Sequence, residues 1–262
     1  MRTELREHWG ADIGVSRLPF PMVLPKATLM ETSAFVEFIR LVVAGDADRV
    51  SRRVRAAPDL ATTASPVGAT RQQAADFFFT TISHYLYVGD TALHMAATAF
   101  SRPMAELLMT HGADCRARNR RGAEPLHYAA DGRRREPHAQ ASVIEYLISM
   151  GAEPNAVDKT GVAPLHRAVR TRSVAAVKAL LDGGAELRQS NKSGSTPLHL
   201  AVQNTGASGS GSDEAHQQQA AIIKLLLARG ARPTDKDSQG KTVKQAATSV
   251  WIRELLSETK AG

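Results

Sequence analysis

The sequence predicts an all-α repeat solenoid, and three regularities support this prediction. An octapeptide of the form Gly-x-x-x-Leu-His-x-Ala recurs as "GDTALHMA", "GAEPLHYA", "GVAPLHRA" and "GSTPLHLA", and a decayed fifth copy reads "GKTVKQAA". Each of the four complete copies is followed by an apolar segment that ends in Gly-Ala. From the glycine of each Gly-Ala pair to the leucine position of the next copy is always 14 residues. A constant connector between paired helices is typical of stacked helix–turn–helix arrays.

Each copy is expected to contribute two helices. Thr91 and Thr196 suit a helix N-cap, and the prolines that follow this position in later copies fit the first helical residue, which needs no N–H donor. The apolar segments, for example "MAELLMTHGA", place apolar residues at i, i+3 and i+4, which is helical spacing. Their closing glycines stand where a helix C-terminus favours a positive φ; these are Gly112, Gly151, Gly184 and Gly230.

The second and fourth copies contain additional residues. The leucine-to-glycine distances are 19, 25, 19 and 32 residues, so the excess is six and then 13. We expect two loops between paired helices, "DGRRREPHAQ" and "NTGASGSGSDEAHQQQ". Both should project from the same edge and flank the short "RTRS" loop of the third copy. Arg170 and Arg172 of that loop, with the arginines at 133–135, predict a basic notch.

The pattern resembles the ankyrin repeat family over roughly residues 31–258. The resemblance implies a solenoid of antiparallel helix pairs joined by projecting β-hairpin loops. Residues 1–30 are expected to form an N-terminal extension whose order the sequence leaves open. The expected ankyrin repeat domain comprises an N-terminal capping repeat at 31–62, an aromatic insert at 63–88, repeats at 89–117, 118–156, 157–189 and 190–235, inserts near 131–140 and 204–219, and a C-terminal capping repeat at 236–258.

Composition restricts the class of protein. Cys115 is the only cysteine, which excludes an intramolecular disulfide framework and any cysteine-rich metal site. The N-terminus "MRTELREHWG" has no apolar core of a secretory signal, and no apolar run approaches about 20 residues. We therefore expect a monomer in the cytoplasm with no membrane association. Arginine outnumbers lysine, 24 to nine, at a net charge of +7. This usage suits carboxylate or phosphate partners, and it is equally what a GC-rich genome produces.

Four histidines recur at the same position of the motif, and they are candidate metal ligands; they are His94, His127, His166 and His199. Equivalent positions of stacked units lie about 10 Å apart, whereas the ligands of one zinc ion lie about 2 Å from it. One histidine per layer therefore cannot converge on a metal. The family resemblance implies that these histidines tie neighbouring loops together by hydrogen bonds.

The sequence suggests no catalytic residue, cofactor, metal ion or small-molecule substrate. No nucleophile–base pair stands out, and Cys115 lies in a connector between copies. The "GASGSGS" stretch lacks the Lys-Ser/Thr of a phosphate loop and is typical of a flexible linker. An enzyme would need a convergent pocket, for which the only place is between the aromatic insert and the N-terminal cap.

The basic residues predict a partner-binding surface. The resemblance implies that partners contact the hairpin tips and the exposed ends of the inner helices. The basic residues at these positions are Arg118, Arg120, Arg121, Lys159, Arg170, Arg172, Lys192, Lys236 and Lys241. A mainly positive concave face favours an acidic protein partner, although a merely solvated basic surface is the plain alternative. Nucleic acid is a second alternative. The lack of interleaved aromatic residues at these positions argues against it, because surfaces that bind single strands stack the bases on such residues.

The aromatic insert is unmatched in any later copy. It holds three of the seven phenylalanines and two of the four tyrosines, in "DFFFTTISHYLY". One interpretation is a hairpin that folds back on the N-terminal cap, and the other is an anchor for a partner through Phe78, Tyr85 and Tyr87. Successive residues of a strand face opposite ways. All three phenylalanines therefore cannot join one core face.

Overall fold

The computed structural model describes residues 26–132, 136–203 and 211–258. The first 25 residues of the expected N-terminal extension, the arginines at 133–135 and the Gly/Ser-rich stretch at 204–210 lie outside the described residues. The helices are α1 (Lys26–Ala44), α2 (Ala47–Ala56), α3 (Ala92–Thr98), α4 (Arg102–Thr110), α5 (Pro125–Asp131), α6 (Pro137–Ser149), α7 (Pro164–Arg170), α8 (Val174–Asp182), α9 (Pro197–Ala201), α10 (Asp213–Ala228), α11 (Val243–Ala246) and α12 (Val250–Glu258). Strands β1 (Phe78–Phe79) and β2 (His84–Tyr85) form an antiparallel pair.

The helices stack in two layers, which confirms the predicted solenoid. Helices α3, α5, α7, α9 and α11 pack in succession and form the inner layer, while α4, α6, α8 and α10 form the outer layer. At the N-terminal end α1 packs on α3 and α2 packs on α4, so this helix pair continues both layers. Over the described ranges, no helix has the length and apolar character to cross a membrane.

The leucine of each motif anchors the core of its unit. Leu93, Leu126, Leu165 and Leu198 are all at most 1% exposed. Full burial of such a side chain contributes roughly 2 to 3 kcal/mol. Alanines such as Ala96 and Ala129 are also fully buried beside them and allow neighbouring helices to approach closely. Each helix pair therefore buries its apolar face only by stacking on its neighbours.

The expected turns are present at both ends of the paired helices. Thr91 and Thr196 occupy N-cap positions, and Pro125, Pro164 and Pro197 are the first helical residues. The glycines that end the outer helices all adopt left-handed backbone conformations, with φ between 88° and 98°. This conformation lets the chain leave the helix toward the next hairpin.

Parts of the two inserts that were predicted as loops are helical. Helix α6 begins at Pro137 and α10 begins at Asp213. The α10 start has a clear local cause, because the Ser212 hydroxyl accepts a hydrogen bond from the Ala215 N–H and two acidic residues occupy the first turn. The extra residues therefore lengthen the second helix of the pair as well as the connection before it. Similarly, α1 begins at Lys26, ahead of the expected start of the capping repeat.

The aromatic insert folds into a short hairpin, and the residues before the hairpin are hydrogen-bonded to the residues after it. Backbone hydrogen bonds link Ser65 to Asp90 and Gly89, and Ala69 to Leu86. Phe79 is 7% exposed, whereas Phe78 is 37% exposed and stacks on Tyr85 with ring centroids 4.7 Å apart. Neighbouring phenylalanines thus face opposite ways, as the strand geometry requires.

Candidate functional site

The four motif histidines make the same hydrogen bonds in every unit. In each, Nδ1 lies 3.0 to 3.2 Å from the backbone N of the residue before the helix, whose N–H donates to it. The Nε2 atom lies 3.1 to 3.4 Å from a carbonyl oxygen of the next repeat, at Ala123, Val162, Ser195 and Lys241. Nδ1 is therefore an acceptor and Nε2 carries the proton, which is the neutral tautomer. These histidines link successive repeats.

Burial makes the protonation of His94, His127 and His166 unfavourable. It lowers the pKa of His94 to about 4 and, with the positive charge of Arg167 as a second cause, that of His127 to about 3. Burial also lowers the pKa values of His84 and His166. Protonation would remove the Nδ1 lone pair that accepts the backbone N–H. Below pH 6.5, the ordinary pKa of histidine, the unfolded chain therefore takes up protons at these side chains more readily than the folded chain does.

The fold is expected to lose about 3 kcal/mol of stability between pH 7 and pH 5. For a base with a lowered folded pKa, the unfolded state binds more protons below pH 6.5, so stability falls as the pH falls. Asp90 acts in the opposite direction, because its raised pKa of about 6 favours the folded state on acidification. Its gain is smaller than the loss from His94 and His127 together. Urea unfolding at the two pH values measures the difference.

The control for this pH dependence is the exposed His138. His138→Gln should leave the difference in stability between pH 7 and pH 5 unchanged, whereas His94→Gln should reduce it. A wild-type stability that stays flat across this interval would contradict the assignment.

A buried carboxylate that the sequence analysis did not single out joins the insert to the first two repeats. Asp90 is 0% exposed. Its Oδ1 accepts hydrogen bonds from the Tyr128 hydroxyl at 2.7 Å and the Asn119 side-chain amide at 2.9 Å, and its Oδ2 accepts from the Tyr87 backbone N–H at 2.7 Å. Burial raises the pKa of Asp90 to about 6, although these three donors favour its charged form. One carboxylate thus joins three segments of chain, which are residues 87–90, the hairpin at Asn119 and helix α5 at Tyr128.

A second buried cluster lies on the next inner helix. The guanidinium of Arg167 in α7 donates to Asp158 Oδ2 at 2.9 Å and to Asp131 Oδ2 at 3.2 Å. The Arg167 and Asp158 side chains are 12% and 8% exposed. Asp158 also caps its own hairpin, since its Oδ1 accepts hydrogen bonds from the N–H groups of Thr160 and Val162. This carboxylate is therefore bound within the fold and unavailable to a partner.

The aromatic insert covers the inner-helix face of the second repeat. The His84 ring lies 4.9 Å from the Tyr128 ring of α5, centroid to centroid, and the Arg121 guanidinium lies 4.7 Å from the Tyr87 ring centroid. Tyr128 is 2% exposed as a result. The insert also reaches α1, where Arg40 lies over the Phe79 ring at 5.8 Å. The insert therefore covers the inner face at α5.

Three basic residues occupy equivalent hairpin tips and form a continuous row. Arg120, Lys159 and Lys192 each follow the residue that caps the hairpin turn, and all three are exposed. Their backbone N–H groups donate to carbonyl oxygens of the preceding tip, at Val88, Arg121 and Thr160. Within the described ranges, none of the three side chains makes an ion pair. We name Arg120, Lys159 and Lys192 the basic tip row.

The other predicted partner-binding residues differ in their exposure and in whether they form ion pairs within the fold. Arg118 pairs with the buried Glu124 at 3.0 Å, and Arg170 pairs with Asp131 at 3.6 Å. Lys236 and Lys241 are exposed in the last hairpin, where Asp237 caps the turn by accepting from the N–H groups of Gln239 and Lys241. Tyr85 and Tyr87 are half-buried, and so is Arg172, which lies two residues after the end of α7.

No metal-binding group forms from the residues that the structure describes. Within those ranges, no three His, Cys, Asp or Glu side chains converge to hold an ion. Cys115 is 6% exposed and its thiol donates to the Met150 carbonyl oxygen at 3.4 Å. This thiol therefore contacts the connector of the next repeat.

Comparison with known proteins agrees with this architecture. A model described as ankyrin repeats in three copies matches residues 136–237, and a single ankyrin repeat model matches residues 88–120. Together they cover 135 of the 262 residues. No curated protein matches the chain. Ankyrin repeats generally mediate protein–protein interaction, and proteins built from them are typically non-enzymatic scaffolds. The stacked helix pairs, the histidine links between repeats and these matches show that the chain belongs to the ankyrin repeat family.

Proposed function

We propose that the chain is a monomeric, non-enzymatic scaffold of the cytoplasm that binds an acidic protein through its hairpin tips and the open ends of its inner helices. The observation that carries the proposal is the basic tip row. Three successive repeats present a cation at the same position, in register, without an ion-pair partner among the described residues.

The carboxylates near the tips do not neutralise this row. Asp158 and Asp237 use a side-chain oxygen to cap their own turns. Asp90 is fully buried. The positive potential of neighbouring tips, about 10 Å apart, therefore adds along the row. Adjacent like charges repel each other weakly in free solution, and an acidic partner relieves that repulsion as it binds.

The insert restricts where the partner can lie. Because the hairpin at residues 78–85 packs over Tyr128, the inner face of the second repeat is closed. The binding surface then runs along the tips from Arg120 to Lys241 and onto the inner face only from α7 onward. Phe78 and Tyr85 lie at the border of this surface and offer a partly exposed aromatic pair.

Affinity capture from a cell lysate tests the class of partner. The immobilised chain is exposed to lysate at about 50 mM and 200 mM salt, with and without nuclease. We expect one acidic protein to be retained at both salt concentrations and after nuclease treatment. Binding that depends on phosphates would fall by orders of magnitude over this range. Retention of nucleic acid alone, lost on nuclease treatment, would contradict the proposal.

A further inference from the structure

A small pocket lies between the third and fourth repeats, at the ends of the inner helices remote from their hairpins. Its volume is about 50 Å³. The C-terminal ends of α7 and α9 supply Arg170, Arg172 and Gln203, and α10 supplies Gln219. Leu200 and Ile222 form an apolar part of the wall. The pocket therefore combines two cations, of which Arg170 also pairs with Asp131 at 3.6 Å, with an apolar wall.

Arg172 is a half-buried cation without a counterion. Its backbone adopts a left-handed conformation, with φ at 58°, which is strained for a residue other than glycine. Burial lowers the pKa of its guanidinium, and no carboxylate offsets that effect. Within the described ranges its side chain forms no ion pair. A buried charge of this kind is stabilised by an anion.

Gln219 supplies an unused acceptor at the same pocket. It is 3% exposed, and its Nε2 donates to the carbonyl oxygens of Ala201 at 2.7 Å and Gln203 at 2.6 Å. Its Oε1 is buried and accepts no hydrogen bond within the described part of the chain. A buried acceptor without a hydrogen bond destabilises the folded state. Since Oε1 has almost no solvent-accessible surface, a donor of a ligand reaches it when the Gln219 side chain turns toward the pocket.

The second repeat shows how the same acceptor is satisfied elsewhere. Gln140 stands at the equivalent position, 11 residues before the closing glycine of its repeat, as Gln219 does. Its Nε2 likewise donates to a backbone carbonyl oxygen, at Ala129, and its Oε1 accepts a hydrogen bond from the Ser173 hydroxyl of the next repeat at 2.6 Å. Among the described residues, no hydroxyl donates a hydrogen bond to Gln219 Oε1. The donor is thus present for one glutamine and missing for the other.

These features define the chemistry of a ligand. Two guanidinium groups favour a planar carboxylate. The free Oε1 needs a donor, which a phosphodiester lacks. Pockets for whole cofactors and drug-sized molecules measure about 300 to 1,000 Å³, so this one accepts only the end of a side chain with its adjoining backbone. A glutamate or aspartate side chain, with a peptide N–H beside it, meets all three requirements.

We propose that the pocket of Arg170, Arg172 and Gln219 binds the carboxylate of one acidic residue of the partner, while a peptide N–H of that partner donates to Gln219 Oε1. This inference rests on the proposed function and specifies it. Helix α7 runs for seven residues, or about 10 Å, between its hairpin and the pocket. A partner segment crossing α7 reaches both the tip row and the pocket.

The test uses the whole ¹⁵N-labelled chain and a probe that is too small to span both places. N-acetylglutamate N-methylamide carries one carboxylate and two peptide N–H groups, and N-acetylglutamine N-methylamide is its uncharged control. We expect saturable shifts of the Gln219 side-chain amide signals with the glutamate probe, with a Kd in the millimolar range, and none with the control. Arg172→Gln should weaken the binding at least fivefold, and Lys159→Glu/Lys192→Glu should change it by less than twofold.

Two outcomes separate this inference from the proposed function. Unmoved Gln219 signals in the wild-type chain, or equal shifts with the glutamine probe, would overturn the pocket, even where capture of an acidic protein still depends on the tip row. Saturable Gln219 shifts without capture of any acidic protein would support the carboxylate pocket and overturn the proposed function.

Discussion

Replacing Asp90 with alanine is expected to lower the free energy of unfolding by about 3 to 4 kcal/mol. The change leaves the buried Tyr128 hydroxyl and the backbone N–H of the half-buried Tyr87 without their acceptor. Each abandoned donor costs about 1 to 3 kcal/mol. Loss of the Tyr87 bond also loosens the insert from the repeats, so limited proteolysis should cleave within residues 70–85 sooner than in the wild type. Urea unfolding measures the free energy.

Two control variants separate the buried hydrogen bonds from the loss of a carboxylate as such. Asp90→Asn keeps an acceptor for Tyr128 and should cost roughly half as much. Asp114→Ala removes an exposed carboxylate that accepts one backbone N–H, from Arg116, and should cost less than about 1 kcal/mol. If Asp90→Ala costs no more than Asp114→Ala, the buried network does not stabilise the fold.

Replacing Arg167 with leucine is expected to cost about 3 to 5 kcal/mol, because Asp158 and Asp131 lose their common cation. The side chain itself fits, since Leu200 and Met95 occupy the equivalent positions of other repeats. The loss should therefore come from the abandoned charges. Chemical unfolding at pH 7 measures it.

A second substitution tests this interpretation. The hairpin position of Asp158 holds Asn119 and Asn191 in neighbouring repeats, where the amide oxygen caps the turn in the same way. Arg167→Leu/Asp158→Asn should thus recover a large part of the stability that Arg167→Leu loses. If the double variant is no more stable than the single one, the charge of Asp158 is not the cause of the loss.

The histidine links, the starts of the inner helices and the glycines that end the outer helices could be predicted because they depend on residues that recur in each copy. The Asp90 cluster could not, since it joins positions where the copies differ. Asp90 stands where later copies have Ala123, Val162 and Ser195, and its third donor comes from the insert, whose path no repeat determines. A buried aspartate is recognised only when all its partners are placed. Its departure from the other copies was the one available signal.

The basic notch was predicted at Arg170 and Arg172, but the contribution of Gln219 to the same pocket was not. The Gly/Ser-rich insert predicts a loop at Gln219, whereas the structure places this residue in α10, where it lines the pocket. The serine followed by two acidic residues at 212–214 is a helix-start signal that the Gly/Ser-rich stretch before it obscured. The apolar spacing alone therefore underestimated the length of this helix.

In the proposed complex the partner binds at the basic tip row and not at the basic residues of the outer helices. The most direct test compares two charge reversals of equal size for affinity toward the purified captured protein. Lys159→Glu/Lys192→Glu changes the tips, and Lys224→Glu/Arg253→Glu changes exposed residues of α10 and α12. We predict at least a tenfold weaker Kd for the tip variant and less than a twofold change for the other. Equal weakening by both variants would show that net charge alone attracts the partner, and would contradict the claim.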